Sequence, residues 1–254
     1  MKSLLKMTWM EAKLFLREPV NAFFTLAFPL IYLFLYGSLI SNMPVPQGSG
    51  TGTIANTMGT VSSYIPTLTA MIIGTTGLMA TTITLATYRE NGILRRLRTT
   101  PVSPLIVLLA QVIVLFVMIT LGMLLLVTAG KLFYDIQIEG NVLSILAGFS
   151  LSSLGFFGIG FMLAGVLPTA RTAQVVAMTM MYPILLLSGA FFPLSLLPAG
   201  VQKVADFLPL TYVVNLLGGL WKGEVWGDHL LDEGVLVGML VVGVVVSVKT
   251  FRWE

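Results

Sequence analysis

Phe23 to Ile40 reads FFTLAFPLIYLFLYGSLI, and it opens a stretch of 70 residues between Glu18 and Arg89 that contains no Asp, Glu, Lys or Arg. About 20 apolar residues in an α-helix cross the hydrocarbon of a bilayer, so this segment reads as a membrane span. The rest of the chain agrees. Of 254 residues 56% are apolar and 10% charged, with a mean hydropathy of +0.94, whereas a soluble domain carries about 25% charged residues. There are too few solvating groups to coat a water-soluble fold. The apolar residues suffice for about six spans with little left for a separate soluble domain.

Working outward, a Gly/Ser/Thr/Pro segment (residues 44–63, with Gly48-Ser49-Gly50-Thr51-Gly52) reads as an exposed loop. A second span follows it. Charge-free windows at 99–130, 140–170 and 172–202 each fit a tilted helix. The last span has only Gly234 to Val248 without charge, so it extends outward with Asp232 and Glu233 near the interface. The expected plan is an all-α membrane protein, a single transmembrane domain over 1–254. It has an interfacial helix (1–18) and spans at about 23–41, 66–87, 103–128, 142–167, 172–189 and 231–250. A cytoplasmic loop (88–101) joins spans two and three. Between spans five and six, Pro193, Pro198 and Pro209 break the chain, with Lys203 and Asp206 among them. Residues 190–221 read as an external re-entrant segment, which must be covered by protein or line a watery cavity. The alternative is a plain surface loop with an amphipathic helix.

Orientation follows from the basic residues. With the N-terminus cytoplasmic, that side holds Lys2, Lys6, Lys13, Arg17, Arg89, Arg95, Arg96, Arg98, Arg171, Lys249 and Arg252; the other holds Lys131, Lys203 and Lys222. This asymmetry requires an even number of spans and puts both termini in the cytoplasm of a cell-membrane protein. A cleaved signal peptide is the competing reading of residues 1–41, but no A-x-A-like site follows Ile40. Before the first span, Lys6, Met10, Lys13 and Arg17 share one helical face and Leu5, Trp9, Ala12 and Leu16 the neighbouring one. Such a helix lies in the membrane plane, until Glu18-Pro19 turns the chain upward.

Several chemistries are excluded. The chain has no cysteine, hence no disulfide or thiolate site. The five well-defined spans lack the buried ionisable residues of ion-coupled carriers. The single histidine, His229, stands with Asp228, Asp232 and Glu233, which hints at a metal but reads better as a solvated external loop. No nucleophile with its base falls in a credible pocket. The phosphate loop G-x-x-x-x-G-K-[ST] is absent; Gly243 to Lys249-Thr250 lacks its second glycine. No filter-like motif marks a channel. The net charge of +3 lies at the membrane edge, so no nucleic-acid partner is expected. The chain is read as a non-enzyme without its own cofactor or metal. Any energy source is another subunit.

The loop Tyr88 to Pro104, YRENGILRRLRTTPVSP, sets Ile93, Leu94 and Leu97 beside three arginines. It suits insertion into a partner's groove or rest on anionic lipid. This run resembles the cytoplasmic loop of the type-2 permeases of ATP-binding-cassette (ABC) exporters. Arg17-Glu18-Pro19 is similar to that family's junction after its interfacial helix, and SGAFFPLSLLPAGVQKVADFLPLTYVVNLLGGLW (Ser188 to Trp221) to its external re-entrant segment. Drug and lipid exporter permeases are the nearest in character.

The resemblance implies two permeases, identical or paralogous, driven by two copies of a cytoplasmic ABC ATPase that carry the ATP and Mg. Arg89, Glu90, Gly92, Leu94, Arg95, Arg96, Leu97 and Arg98 would form the coupling helix, flanked by Arg17 and Glu18. Phe191, Pro193, Pro209 and Tyr212 would cap the outer exit. Apolar walls suit a hydrophobic or amphipathic cargo leaving the cytoplasm or inner leaflet. Phe156, Phe157, Phe161, Met178 and Met181 are candidates to line its path, although such residues also fill helix contacts or face lipid. Ser153, Gly160 and Ala164 mark a close-packing face. A polysaccharide or glycolipid exporter remains open, as does a scaffold or channel that uses no ATP and binds lipid or a partner through the basic loop.

Overall fold

The computed structural model describes residues 2–41, 61–93, 104–192, 194 and 197–250. Among the described residues all regular structure is helical. An amphipathic helix α1 (Lys2–Arg17) precedes α2 (19–41) and α3 (Val61–Glu90). Then come α4 (Pro104–Tyr134), α5 (Val142–Val166) and α6 (Ala170–Leu187), the short pair α7 (Ala199–Ala205) and α8 (Pro209–Trp221), a 3₁₀ turn (Trp226–His229) and α9 (Leu230–Thr250). This is an all-α membrane protein. Among the described residues five stretches are long and apolar enough to cross a bilayer: Val61–Glu90, Ile106–Tyr134, Val142–Val166, Ala170–Leu187 and Trp226–Ser247. The apolar part of α2, Phe23–Leu39, is shorter. The whole of that helix, residues 19–41, measures about 34 Å at 1.5 Å per residue, enough for a hydrocarbon core of about 30 Å.

The bundle is built around α3, which is 78% buried, whereas α9 is 17% buried and turns most of its surface outward. Burying α3 requires its many hydroxyls to be satisfied, and for several threonines the helix does this internally. Thr69 donates to the Ile65 carbonyl at 2.9 Å and Thr82 to that of Leu78 at 2.5 Å. Small residues then let neighbouring backbones approach. A Cβ on Gly160 would overlap the Gly77 carbonyl of α3, and the Gly160 carbonyl lies 3.1 Å from Thr82 Oγ1, sharing that hydroxyl's one proton with the nearer Leu78 carbonyl. On another side of α5, a Cβ on Gly243 would overlap the backbone of Gly158, so α9 seats directly against α5. Thus α5 joins the core and the outermost span.

Two helices widen into π-helical turns, Phe23–Ala27 in α2 and Thr75–Ala80 in α3. They face each other, with Thr25 and Thr76 hydroxyls 3.3 Å apart in the buried interior. Segment limits shift modestly from expectation. α3 begins at Val61, ahead of Pro66, and α4 continues past Lys131 to Tyr134, because a lysine near a helix end can extend its amine to the interface. Between α6 and α9, α7 and α8 meet at 91°. A surface loop would leave one face of α8 to solvent, but Leu210, Thr211, Val213, Leu216, Gly219 and Trp221 are buried on all sides of the helix and along it Asn215 alone is exposed. The plain surface-loop alternative is therefore corrected: α8 is a core element packed on α3.

Candidate functional site

A cavity of about 610 Å³ lies between α2, α3 and α6, within the size range of sites for drug-sized molecules. Both π turns form its wall: Phe24 and Thr25 come from the first, Thr75, Thr76 and Met79 from the second. A π turn rotates the side chains that follow it and is enriched at functional sites. Here it points threonines and a methionine into the cleft. Gln174, Met178 and Tyr182 of α6 face them. Arg17 and Glu18 stand at one end, where α1 meets α2, and Phe191 at the other. The lining is apolar with a few hydroxyls and one amide, which suits an amphipathic guest.

Of the residues expected along a substrate path, Met178 lies on this cavity. Phe156 and Phe157 are at most 2% exposed and fill the core, Phe156 against Gly77. Met181 is fully buried, with its methyl against Gly74. Phe161 packs where Leu85, Val107 and Ala164 meet. Those four do not reach the cleft. The sequence gives no sign of the Thr25–Thr76 wall, because a π turn leaves no periodic signature in so uniformly apolar a run.

At the Arg17 end, three consecutive residues tie α3 to three other helices. The Tyr88 hydroxyl donates to Glu11 Oε2 of α1 at 2.8 Å. Arg89 donates to the carbonyls of Ala164 at 2.9 Å and Gly165 at 3.3 Å, and to that of Leu167, capping the C-terminus of α5. Glu90 Oε2 accepts from the Ala170 N–H at 2.6 Å, at the N-terminus of α6. A cation at a helix C-terminus and an anion at an N-terminus both complement the helix dipoles. Thr169 completes that N-cap by accepting from the Thr172 N–H at 3.1 Å. α3 then ends through Asn91 and Gly92, the latter at φ +65°, a left-handed conformation glycine adopts without penalty. Leu94, Arg95, Arg96, Leu97 and Arg98 lie outside the described residues.

Glu11 is 7% exposed. Burial raises its carboxyl above the ordinary carboxylate range; the Tyr88 hydroxyl works against that rise and Glu18 adds to it. Around Glu11, Phe15 is buried, whereas Leu5, Trp9 and Leu16 form an exposed apolar stripe beside exposed Lys6 and Lys13. α1 thus has a docking face, an apolar face and a basic face.

At the opposite end, Gly189 at φ +86° reverses the chain after α6 and brings Phe191 over the cavity. Of the other residues expected at the exit, Tyr212 donates to the Asp206 carbonyl and Pro209 is the first residue of α8, so both fasten the α7–α8 corner. Pro193 lies outside the described residues. His229 departs from the solvated loop expected of it. It is 9% exposed, with Nδ1 2.9 Å from Asp232 Oδ2 and Nε2 2.9 Å from Glu224 Oε2. The polar cluster turns inward because Gly219 has no side chain to exclude the ring.

Sequence comparison places these features among known proteins. The chain is 30% identical over 103 residues to nodulation protein J of Rhizobium leguminosarum bv. viciae, covering 41% of this chain and 40% of that one. It is 25% identical over 158 residues to the probable multidrug ABC transporter permease YbhS of Escherichia coli (strain K12), covering 62% and 42%. The inner membrane transport permease YhhJ of the same organism is 26% identical over 200 residues, covering 77% and 51%. The matches therefore span about half or less of these relatives' lengths. A family model described as ABC-2 type transporter matches residues 2–220, and with this helical membrane architecture the chain belongs to the ABC-2 type transporter family.

Proposed function

We propose that the chain is the membrane-spanning permease subunit of an ATP-driven ABC exporter. It moves a hydrophobic or amphipathic molecule out of the cytoplasm or inner leaflet, powered by a separate ATPase. The observation that carries this reading is the apolar cavity of about 610 Å³ bounded by Arg17 and Glu18 at one end and Phe191 at the other. Its lining offers a few hydroxyls and one amide rather than the many polar groups a sugar chain needs, and a relative carries the name of a multidrug permease. The tie of Tyr88, Arg89 and Glu90 to α1, α5 and α6 supports entry of force at this end. A partner that displaced the following segment, residues 92–98, would pull on three helices at once.

In this reading six helices span the cell membrane, α2 being the first, and both termini are cytoplasmic. α1 lies in the inner interface with Trp9 and Leu5 in the acyl boundary and its lysines at anionic headgroups. Two permease copies, or this chain and a paralogue, pair over two ATPase subunits that bind ATP and Mg. Phe191 closes the outer end. The experiment is reconstitution with the partner ATPase and a screen of amphipathic compounds for stimulated ATP turnover. Stimulation is expected, and Leu94→Asp or Arg96→Glu should abolish it while the protein still inserts. Full stimulation in both variants would contradict the docking role.

A further inference from the structure

Two tyrosine hydroxyls from different spans converge on one backbone carbonyl. Tyr32 of α2 donates to the Phe191 carbonyl at 3.0 Å, and Tyr64 of α3 donates to the same oxygen. A carbonyl has two lone pairs and can accept both. The rings are fixed as well. Tyr36 stacks on Tyr64 with centroids 3.8 Å apart, Tyr32 on Tyr64 at 6.1 Å, and the Phe191 ring meets Tyr32 edge-on at 5.2 Å. Phe191 itself lines the end of the cavity, on a segment that leaves α6 through the left-handed Gly189.

We propose that Tyr32 and Tyr64 are positioning residues that latch the Phe191 segment over this end of the cavity, and that the latch holds only at the present spacing of α2 and α3. One oxygen can keep both hydroxyls only while the two helices stay together. If α2 and α3 separate, at least one bond breaks and Phe191 is freed to swing about Gly189. The tyrosines therefore couple helix separation to opening of the exit. The outward sense of that opening rests on the function proposed above.

The chain's lack of cysteine makes the test direct. Thr75→Cys, on the cavity wall, reports access to a membrane-impermeant maleimide added from either face of sealed vesicles. Phe207→Cys, at a residue 87% exposed beside the α7–α8 corner, identifies the face that carries the Phe191 end. Tyr32→Phe and Tyr64→Phe remove one oxygen each and keep the rings. From the face marked by Phe207→Cys, labelling of Thr75→Cys should rise roughly fivefold in either variant and roughly thirtyfold in the double variant, with labelling from the other face unchanged. Labelling of the double variant at the parent rate, or an equal rise from both faces as general loosening would give, overturns the latch. If the double variant fails to insert, the single variants decide in the same way. Phe207→Cys reacting only from the cytoplasmic face would overturn the proposed outward direction, while the latch would still be judged from the face so marked.

Discussion

Glu11 shows how a single buried carboxyl is revealed by structure and missed in sequence. The two faces of α1 are drawn in sequence by its neighbours Met10, Ala12 and Lys13, and nothing there singles out Glu11. Tyr88, 77 positions away, brings it into the interior. The groups that face it are the Tyr88 hydroxyl, the Glu18 carboxyl and, across the same small pocket, Gln111 and Thr84. Because the folded carboxyl keeps its proton to higher pH than in the unfolded chain, its contribution to stability is complete below the ordinary carboxylate range. That contribution is lost as pH rises through the folded value. Thermal melting should therefore show the parent protein losing stability as pH rises above the ordinary carboxylate range, and Glu11→Gln should flatten that dependence and melt higher on the alkaline side. Gly92 makes a second residue-scale prediction. Among the described residues nothing lies within 4 Å of where its Cβ would be, so Gly92→Ala pays the left-handed backbone cost of about 1–2 kcal/mol. Denaturant or thermal unfolding in detergent would measure it. The sequence reading placed Gly92 in the coupling helix, although Asn91-Gly92 is itself a turn dipeptide.

At the scale of elements, the spans were legible because charge-free windows and basic loops are one-dimensional signals, whereas helix packing is not. Gly160 and Ala164 do lie on packed faces of α5. The Gly158–Gly243 contact was not visible, because its partner belongs to the last span, whose register the sequence does not state. The contact predicts a contrast within α9. Gly243→Ala forces a methyl into the Gly158 backbone and should destabilise the protein by about 1–3 kcal/mol. Gly238→Ala, with open space at its Cβ, should be neutral or stabilise by about 0.5–1 kcal/mol through higher helix propensity. Melting temperatures of the two variants side by side test this. Arg89 and Glu90 were picked out as coupling residues from the run they begin, and the contacts they make are to the α5–α6 corner instead of to one another. Their carbonyl and amide partners lie 75 or more positions away, and backbone partners carry no side-chain code.

Considered as a whole molecule, the chain combines a buried central helix, an apolar cavity walled by two facing π turns, and an end of α3 tied to α1, α5 and α6. Membrane class and helical content were readable from composition. The cavity was not, because its wall depends on which side of three helices the threonines and methionines face after the π turns. In the proposed function the chain shapes a path and receives force without generating it. Sealed liposomes containing the chain, with and without the partner ATPase, loaded with an amphipathic fluorescent compound and supplied with ATP, test this most directly. ATP-dependent movement of the compound should occur only when both proteins are present. Sustained uphill movement by this chain alone would contradict the account.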